Sequence, residues 1–259
     1  MLSHELRDPL GAVVTATALL RGAQCPEEKR PRLLAIVERQ SQQMARLLDD
    51  LLKASRVTQN KIELRRTRVD RVAVTRDAAE AVRNVMDARK MDFSLDLESE
   101  PLWVDGDTAR LRQTQANLLN NAAKYTHVGS RVCLTARRSG SHAVVVVIDD
   151  GAGIPESMLE NVFDLFVKSK RTLDRSDGGL GVGLTLVRTL VAMHGGTVTA
   201  RSKGAGYGSE FTVSLPLATV LTEEEPAVSS HHLRVGAPRR RAGKRVAAVC
   251  VNALETVVT

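Results

Sequence analysis

The strongest constraint on the fold is a set of side chains that recurs at heptad spacing near the N-terminus. The intervals alternate between four and three residues along Leu33, Val37, Gln40, Met44, Leu47 and Leu51. This period is typical of helical hairpins and coiled coils. An earlier stripe, again at intervals of three and four, runs through Leu2, Leu6, Leu10, Val13, Ala16 and Leu20. Residues 22–31, rich in Gly, Pro and charge, are expected to form the connecting loop.

Two such helices cannot bury both of their faces alone. We therefore expect residues 1–57 to form a hairpin that pairs with a second copy into a four-helix bundle. An ordinary hairpin packed on the rest of the chain is the alternative. Pro9 should bend the first helix, because it removes a backbone hydrogen-bond donor one turn beyond His4.

Beyond Val57 the pattern changes to short alternating runs mixed with helical ones. We predict helices over 71–88, 108–125 and 184–194, and strands over 61–65, 93–97, 131–137, 143–148, 197–201 and 210–215. Strands and helices do not alternate strictly, so we predict an α+β fold, a two-layer α/β sandwich over 58–217. Residues 218–259 are expected to be a linker and a short stub.

Composition excludes several other classes of protein. The formal charge of +7 is concentrated in a basic stretch, residues 231–245, which has no interleaved aromatic side chains. Nucleic-acid binding is therefore not expected. No apolar run approaches the roughly 18–20 residues that a membrane span needs, so we expect a cytoplasmic protein without a membrane span.

Several residue patterns suggest chemistry with phosphate. His4 is followed by Glu5, which could accept one ring proton and make the other ring nitrogen a better nucleophile. Taken alone, a surface His beside a Glu usually has no function. Asn117 and Asn121 stand four apart on a predicted helix, and amide oxygens are ligands that Mg²⁺ accepts. Lys124 and Tyr125 follow, a cation for phosphate and a ring for a base or ribose. An asparagine-rich helix surface is the alternative interpretation.

Two glycine-containing segments complete the candidate site. Asp149 ends an apolar strand and could accept a hydrogen bond from an adenine amino group, while Gly151 and Gly153 allow close backbone approach. An ordinary hairpin turn can contain the same Asp-Gly sequence, so it is the alternative interpretation. Gly179, Gly181 and Gly183 precede a helix, whose N-terminus favours phosphate. Position 184 is Leu rather than the third glycine of a dinucleotide fingerprint, and no GxxxxGK[ST] occurs. A mobile glycine-rich lid over a nucleotide fits better.

These segments resemble the boxes of the histidine kinase family. SHELRDPL resembles the H box, NLLNNAAKYT the N box, DDGAGIP the G1 box, VFDLF the F box and GGLGVGLTLV the G2 box. The resemblance covers roughly residues 1–217. It implies a dimeric phosphotransfer hairpin followed by an ATP-binding domain of the type shared with gyrase and Hsp90. It also implies ATP and Mg²⁺ as cofactors and the receiver domain of a response regulator as partner.

The resemblance assigns roles residue by residue. It implies His4 as phospho-acceptor polarised by Glu5, Asn121 as magnesium ligand with Asn117 beside it, and Lys124 and Tyr125 near phosphate and base. Asp149 would bind adenine in a pocket shaped by Gly151 and Gly153. Phe163 and Phe166 would anchor the lid, and Gly179, Gly181 and Gly183, with Leu184 after them, would bind phosphate.

Three features depart from the family pattern. The chain starts almost at the H box, Asp8 stands where phosphatase-competent members commonly have Thr or Asn, and the stub around Cys250 and Val251 resembles a receiver that lacks its acidic pair. We therefore expect no strong phosphatase activity and a stub that accepts no phosphate. A fragment that binds ATP or heterodimerises without transferring phosphate is the alternative to an active kinase. An ATPase of the same superfamily is a third interpretation, in which the hairpin with His4 has no purpose.

Overall fold

A computed structural model of the chain describes residues 2–22, 25–59, 62–167 and 180–218. The predicted linker and stub lie outside these residues, apart from Ala218. None of the helices in these ranges is both long and apolar enough to cross a membrane.

The N-terminal unit is the predicted helical hairpin. Helix α1 (Leu2–Arg21) is joined through a 3-10 turn (Glu27–Lys29) to helix α2 (Arg30–Thr58), and the two helices pack along each other. Helix α1 continues through Pro9. The connection is shorter than predicted, because Pro31 lies in the first turn of α2 rather than in the loop. A proline is tolerated there since first-turn N–H groups have no intrahelical partner.

The C-terminal unit mixes strands and helices as predicted. Its elements are β1 (Thr67–Asp70), α3 (Arg71–Ala88), β2 (Asp92–Leu97), β3 (Trp103–Gly106), α4 (Thr108–Tyr125), β4 (Arg131–Ser139), β5 (His142–Asp149), α5 (Glu156–Leu159), α6 (Gly183–Met193), β6 (Thr197–Arg201) and β7 (Ser209–Pro216).

Five of the strands form one sheet in the order β2-β4-β5-β7-β6, in which β2 pairs with β4 in parallel and every other pairing is antiparallel. Helices α3, α4 and α6 supply the second layer, and the core between the layers contains Leu118, Val145 and Val213. The α+β prediction is therefore confirmed. Strands β1 and β3 form a separate antiparallel pair.

The prediction of a strand over 61–65 is wrong. Residues 62–66 form no regular element, and β1 begins at Thr67, where the chain pairs with β3. Local alternation of side chains cannot reveal where a pairing partner lies, because β3 is more than thirty residues away. The prediction missed the four-residue elements β1, β3 and α5.

Two aspartates and a histidine fix how the helices begin and end. Asp70 caps α3 by accepting from Val72 N at 2.9 Å, and Asp107 caps α4 by accepting from Arg110 N at 3.1 Å. Asp107 N in turn donates to Nε2 of buried His194, which follows α6, at 3.0 Å. Burial lowers the pKa of His194, which keeps the acceptor nitrogen unprotonated. The start of α4 and the end of α6 are thereby held together.

A second apolar cluster joins the two units, and we call it the interdomain cluster. Its buried members come from α2 and from the residues that lead into α6, and partly buried apolar side chains surround them. The cluster consists of Leu47, Ala54, Leu180 and Val182, with Leu6, Leu51, Leu165 and Phe166 around them.

Candidate functional site

Helix α4 presents its two predicted asparagines away from the core. Leu118, Leu119 and Ala122 are buried in the core, while Asn117 and Asn121 are partly buried. The side-chain nitrogen Nδ2 of Asn117 is buried and has no hydrogen-bond partner among the described residues. A methyl group built on Gly183 would lie 3.9 Å from Asn117 Oδ1, so this amide faces the start of α6. A buried N–H without a hydrogen-bond partner lowers the stability of the fold, unless an acceptor such as a phosphate or ribose oxygen of a ligand accepts its hydrogen bond.

The end of α4 connects the asparagines to the G1 segment. Lys124 Nζ lies 5.1 Å from the ring centroid of Tyr125, and both side chains are partly buried. The carbonyl oxygen of Tyr125 accepts from Ala152 N at 3.0 Å. The predicted Lys-Tyr pair is therefore adjacent to the predicted glycine-containing turn.

Asp149 is a buried carboxylate at the end of β5. Its Oδ1 accepts from Gly151 N at 2.9 Å, and its Oδ2 accepts from the hydroxyl of Ser209. Burial raises the pKa of Asp149 above its usual value, although the hydrogen bonds from Ser209 and Gly151 oppose that rise. Such a carboxylate is held in one orientation and can accept a further hydrogen bond from a ligand amino group.

Two glycines of the G1 segment, the DDGAGIP sequence of residues 149–155, have no space around them for a side chain. A Cβ on Gly151 would lie 2.6 Å from Tyr125 O and 2.7 Å from Asp149 Oδ1. Gly153 has φ +67°, and a Cβ there would overlap Gly204 O. Both positions therefore exclude larger residues, because a side chain would overlap neighbouring protein atoms.

Sequence reasoning missed the turn that supports this segment. Gly206 N donates to Ala152 O at 2.7 Å, Gly208 N donates to Gly151 O at 3.1 Å, and Ile154 N donates to the hydroxyl of Ser202 at 3.0 Å. The sequence signal that could have predicted this turn is the set of three glycines at intervals of two before β7, namely Gly204, Gly206 and Gly208. Thr126 and Ser209, both beside Asp149, were missed as well.

The two predicted lid anchors occupy different environments. Phe163 is buried in the core, where its ring meets Phe211 edge-to-face at a centroid distance of 6.3 Å. Phe166 belongs to the interdomain cluster and has φ +66°, unusual for a residue with a side chain.

The glycine-rich segment is described only at its C-terminal end. Gly179 lies outside the described residues. Gly181 has φ +75°, and a Cβ there would lie 2.8 Å from Val167 O, so Gly181 lies against the backbone of Val167. Gly183 is the first residue of α6, and Leu184 is partly buried against the core.

The N-terminus of α6 has the character of an anion site. Within residues 2–22, 25–59, 62–167 and 180–218, no side chain caps its first turn and the buried hydroxyl of Thr185 has no hydrogen-bond partner. Free first-turn N–H groups and the helix dipole favour a negatively charged ligand. The orphaned Nδ2 of Asn117 lies against the same helix start.

His4 and Glu5 both lie in α1, and the structure describes their backbone only. Leu6, one residue beyond Glu5, belongs to the interdomain cluster. The turn of α1 that carries His4 is therefore next to the residues that lead into α6.

Comparison with known families decides the identity of this arrangement. Residues 1–60 match the His Kinase A (phospho-acceptor) domain, and residues 106–219 match the histidine kinase-, DNA gyrase B-, and HSP90-like ATPase. The chain carries the catalytic core of a histidine kinase. The predicted recognition is thus confirmed, except that the receiver stub is not shown.

Individual relatives agree with this family. The probable sensor histidine kinase TcrY of Mycobacterium tuberculosis is 36% identical over 216 residues, which make up 83% of this chain and 44% of TcrY. Full-length ShkA, solved in complex with AMPPNP, has a TM-score of 0.63 at 30% identity, covering 85% of this chain and 45% of ShkA.

The histidine kinase ThkA, solved in complex with the response regulator TrrA, shares the fold. Its TM-score is 0.66 at 21% identity, over 83% of this chain and 60% of ThkA. This histidine kinase core spans about half the length of the curated relatives that it matches.

Proposed function

We propose that this core transfers the γ-phosphoryl group of ATP to His4 and passes it on to an aspartate of a response regulator. The observation that carries the proposal is Asp149, a buried and oriented carboxylate under a glycine turn that admits no side chain. This arrangement suits an adenine ring, whose amino group donates one hydrogen bond to a carboxylate.

We assign the remaining nucleotide contacts to the unpaired polar groups around Asp149. The orphaned Asn117 amide and the uncapped start of α6, with Gly181 and Gly183, would receive the phosphates. Lys124 and Tyr125 would lie near phosphate and base, and Gly179 would extend the phosphate loop. Asn121 would supply an amide oxygen to Mg²⁺, which takes few protein ligands and keeps waters and phosphate oxygens. When bound, Mg²⁺ neutralises phosphate charge.

The transfer itself is an in-line displacement at phosphorus. One ring nitrogen of His4 attacks the γ-phosphorus, and the bond from that phosphorus to the bridging oxygen of ADP breaks. Glu5 accepts a hydrogen bond from the other ring N–H and so raises the basicity of the attacking nitrogen. The chain contributes positioning and electrostatic stabilisation, which supply most of the catalysis in phosphoryl transfer.

A homodimer is part of this proposal. Both helices of the hairpin carry large apolar side chains that are about half exposed: Leu10, Val14, Leu19, Leu34, Leu48 and Leu52. A second copy would cover them in a four-helix bundle of two hairpins. We propose that residues 1–57 form this unit, that residues 58–217 bind ATP, and that both act in the cytoplasm, where ATP and response regulators are found.

The test is incubation of the purified chain with Mg-ATP labelled on the γ-phosphate, beside His4→Gln. We expect label on the wild-type protein that is lost in acid, because phosphohistidine is a phosphoramidate, and no label on the variant. Equal labelling of His4→Gln would overturn the assignment of His4. No label on a wild-type chain that still binds ATP would favour the alternative, a nucleotide-binding fragment without transfer activity.

A further inference from the structure

The residues that lead into α6 are held by the other domain. Leu180 and Val182 are buried, at 2% and 1% exposure, in the interdomain cluster, where their neighbours include Leu47 and Ala54 of α2. The backbone just before the proposed phosphate site is therefore packed against the phosphotransfer hairpin.

A hydrogen bond from α2 fixes the same backbone directly. Leu180 N donates to Oδ2 of Asp50 at 3.1 Å. Asp50 is half-buried and lies three residues after Leu47 and four before Ala54, on the face of α2 that carries the cluster. A backbone N–H that donates to a carboxylate forms a charge-assisted hydrogen bond, roughly twice as strong as a neutral one.

This hydrogen bond lies close enough to the start of α6 along the chain to affect nucleotide binding. Gly181 follows Leu180 in a left-handed conformation that brings the segment back against Val167 O. Gly183 then begins α6, whose first amides have no side-chain cap from the part of the chain that the structure describes. Asp50 thus fixes the chain three residues before the start of α6.

We propose that Asp50 is a positioning residue for nucleotide binding. From the phosphotransfer hairpin, it orders the C-terminal end of the glycine-rich segment. The backbone amides at the start of α6 are then oriented for the phosphates before ATP binds. The inference rests on the proposed function of α6 as the phosphate site. Because Leu6 lies in the same cluster, the proposal also links nucleotide binding to the turn of α1 that carries His4.

The test compares Asp50→Ala, Asp50→Asn and the matched control Asp49→Ala, all in the full chain. Asp49 is the neighbouring exposed carboxylate. The measurements are the Kd of a fluorescent ATP analogue with Mg²⁺, the KM and kcat of self-labelling, and amide hydrogen exchange at Leu180 in the unliganded protein.

We expect Asp50→Ala to weaken analogue binding and raise KM about tenfold, the effect of losing one hydrogen bond to a charged group. The kcat should be little changed, and exchange at Leu180 should be faster. Asp50→Asn keeps a side-chain oxygen that can accept from Leu180 N, so it should stay within about threefold of wild type. Asp49→Ala should match wild type.

Unchanged binding in Asp50→Ala would overturn the proposal, and so would a fall in kcat at constant KM or an Asp50→Asn variant as impaired as Asp50→Ala. If Asp50→Ala does not fold, the comparison of Asp50→Asn with Asp49→Ala by hydrogen exchange and Kd still decides it. If wild type binds the analogue without labelling His4, the proposed transfer fails, whereas the Kd series still tests Asp50.

Discussion

Arg71 is a buried cation whose removal should stabilise the ATP-binding domain. It is the first residue of α3 and is fully buried, and its Nε, Nη1 and Nη2 atoms have no hydrogen-bond partner in the described part of the chain. Burial lowers its pKa to about 10, so it still carries its charge at neutral pH.

The size of the effect follows from that pKa. A free arginine titrates above pH 12, and each pKa unit corresponds to about 1.4 kcal/mol, so burying this charge costs on the order of 3 kcal/mol in the folded state. Methionine has a similar length and no charge. We expect Arg71→Met to raise the free energy of unfolding by about 1–3 kcal/mol, because a buried charge is replaced by an apolar chain.

The assay is urea unfolding at neutral pH followed by circular dichroism, with calorimetry as a second measure. A gain of this size should raise Tm by several degrees, at about 2–4 °C per kcal/mol for a domain of this size. The control is Arg76→Met, an exposed arginine on the same helix, which should change stability by less than about 0.5 kcal/mol. A loss of 1 kcal/mol or more in Arg71→Met would refute the reasoning, because it would mean that the guanidinium has a stabilising partner.

Three further predictions concern pH, the glycine turn and the dimer. Because burial lowers the pKa of His194, the unfolded chain takes up a proton first as pH falls. The free energy of unfolding should therefore fall below about pH 6.5, and His194→Gln should lose that slope in urea titrations; an unchanged slope would contradict this. Gly208→Ala should lower both Tm and nucleotide affinity, since its Cβ would overlap the carbonyl oxygen of Asp149, whereas Gly206→Ala, in open space at φ +88°, should cost only about 1–2 kcal/mol of left-handed strain; equal Tm values would contradict the steric argument. Leu48→Glu should shift the sedimentation of the chain from dimer to monomer, because it puts a charge on a half-exposed apolar face, and a dimer that persists would count against that face as the interface.

Much of the fold follows from local signals in the sequence. The predicted bounds of α3 and α4 match the structure because Asp70 and Asp107 are strong N-caps directly before each helix. The apolar run in β5 predicted a strand, which the structure places in the middle of the sheet. By contrast, β3 spans four residues and is defined by its pairing with β1, which no local pattern reveals.

In the candidate site too, some residues could be identified from local sequence signals and others only from the structure. Asn117, Asp149 and Gly151 could be identified from residue type and spacing, since each lies on or beside an element with a strong local signal. Ser209 and Thr126 could not, because their contact with Asp149 joins positions far apart in the chain.

The sequence by itself indicated which residues could bind a nucleotide and placed His4, the proposed phospho-acceptor, on the first helix, because residue chemistry and helical periodicity are local features; the role of His4 came from the resemblance to the family. Only the tertiary structure decided that Asp50 of the hairpin contacts Leu180, that Phe163 and Phe166 lie in different clusters, and that the buried Arg71 side chain has no hydrogen-bond partner in the described ranges. These facts depend on how distant segments pack, and packing follows from the burial of the whole chain rather than from any local pattern.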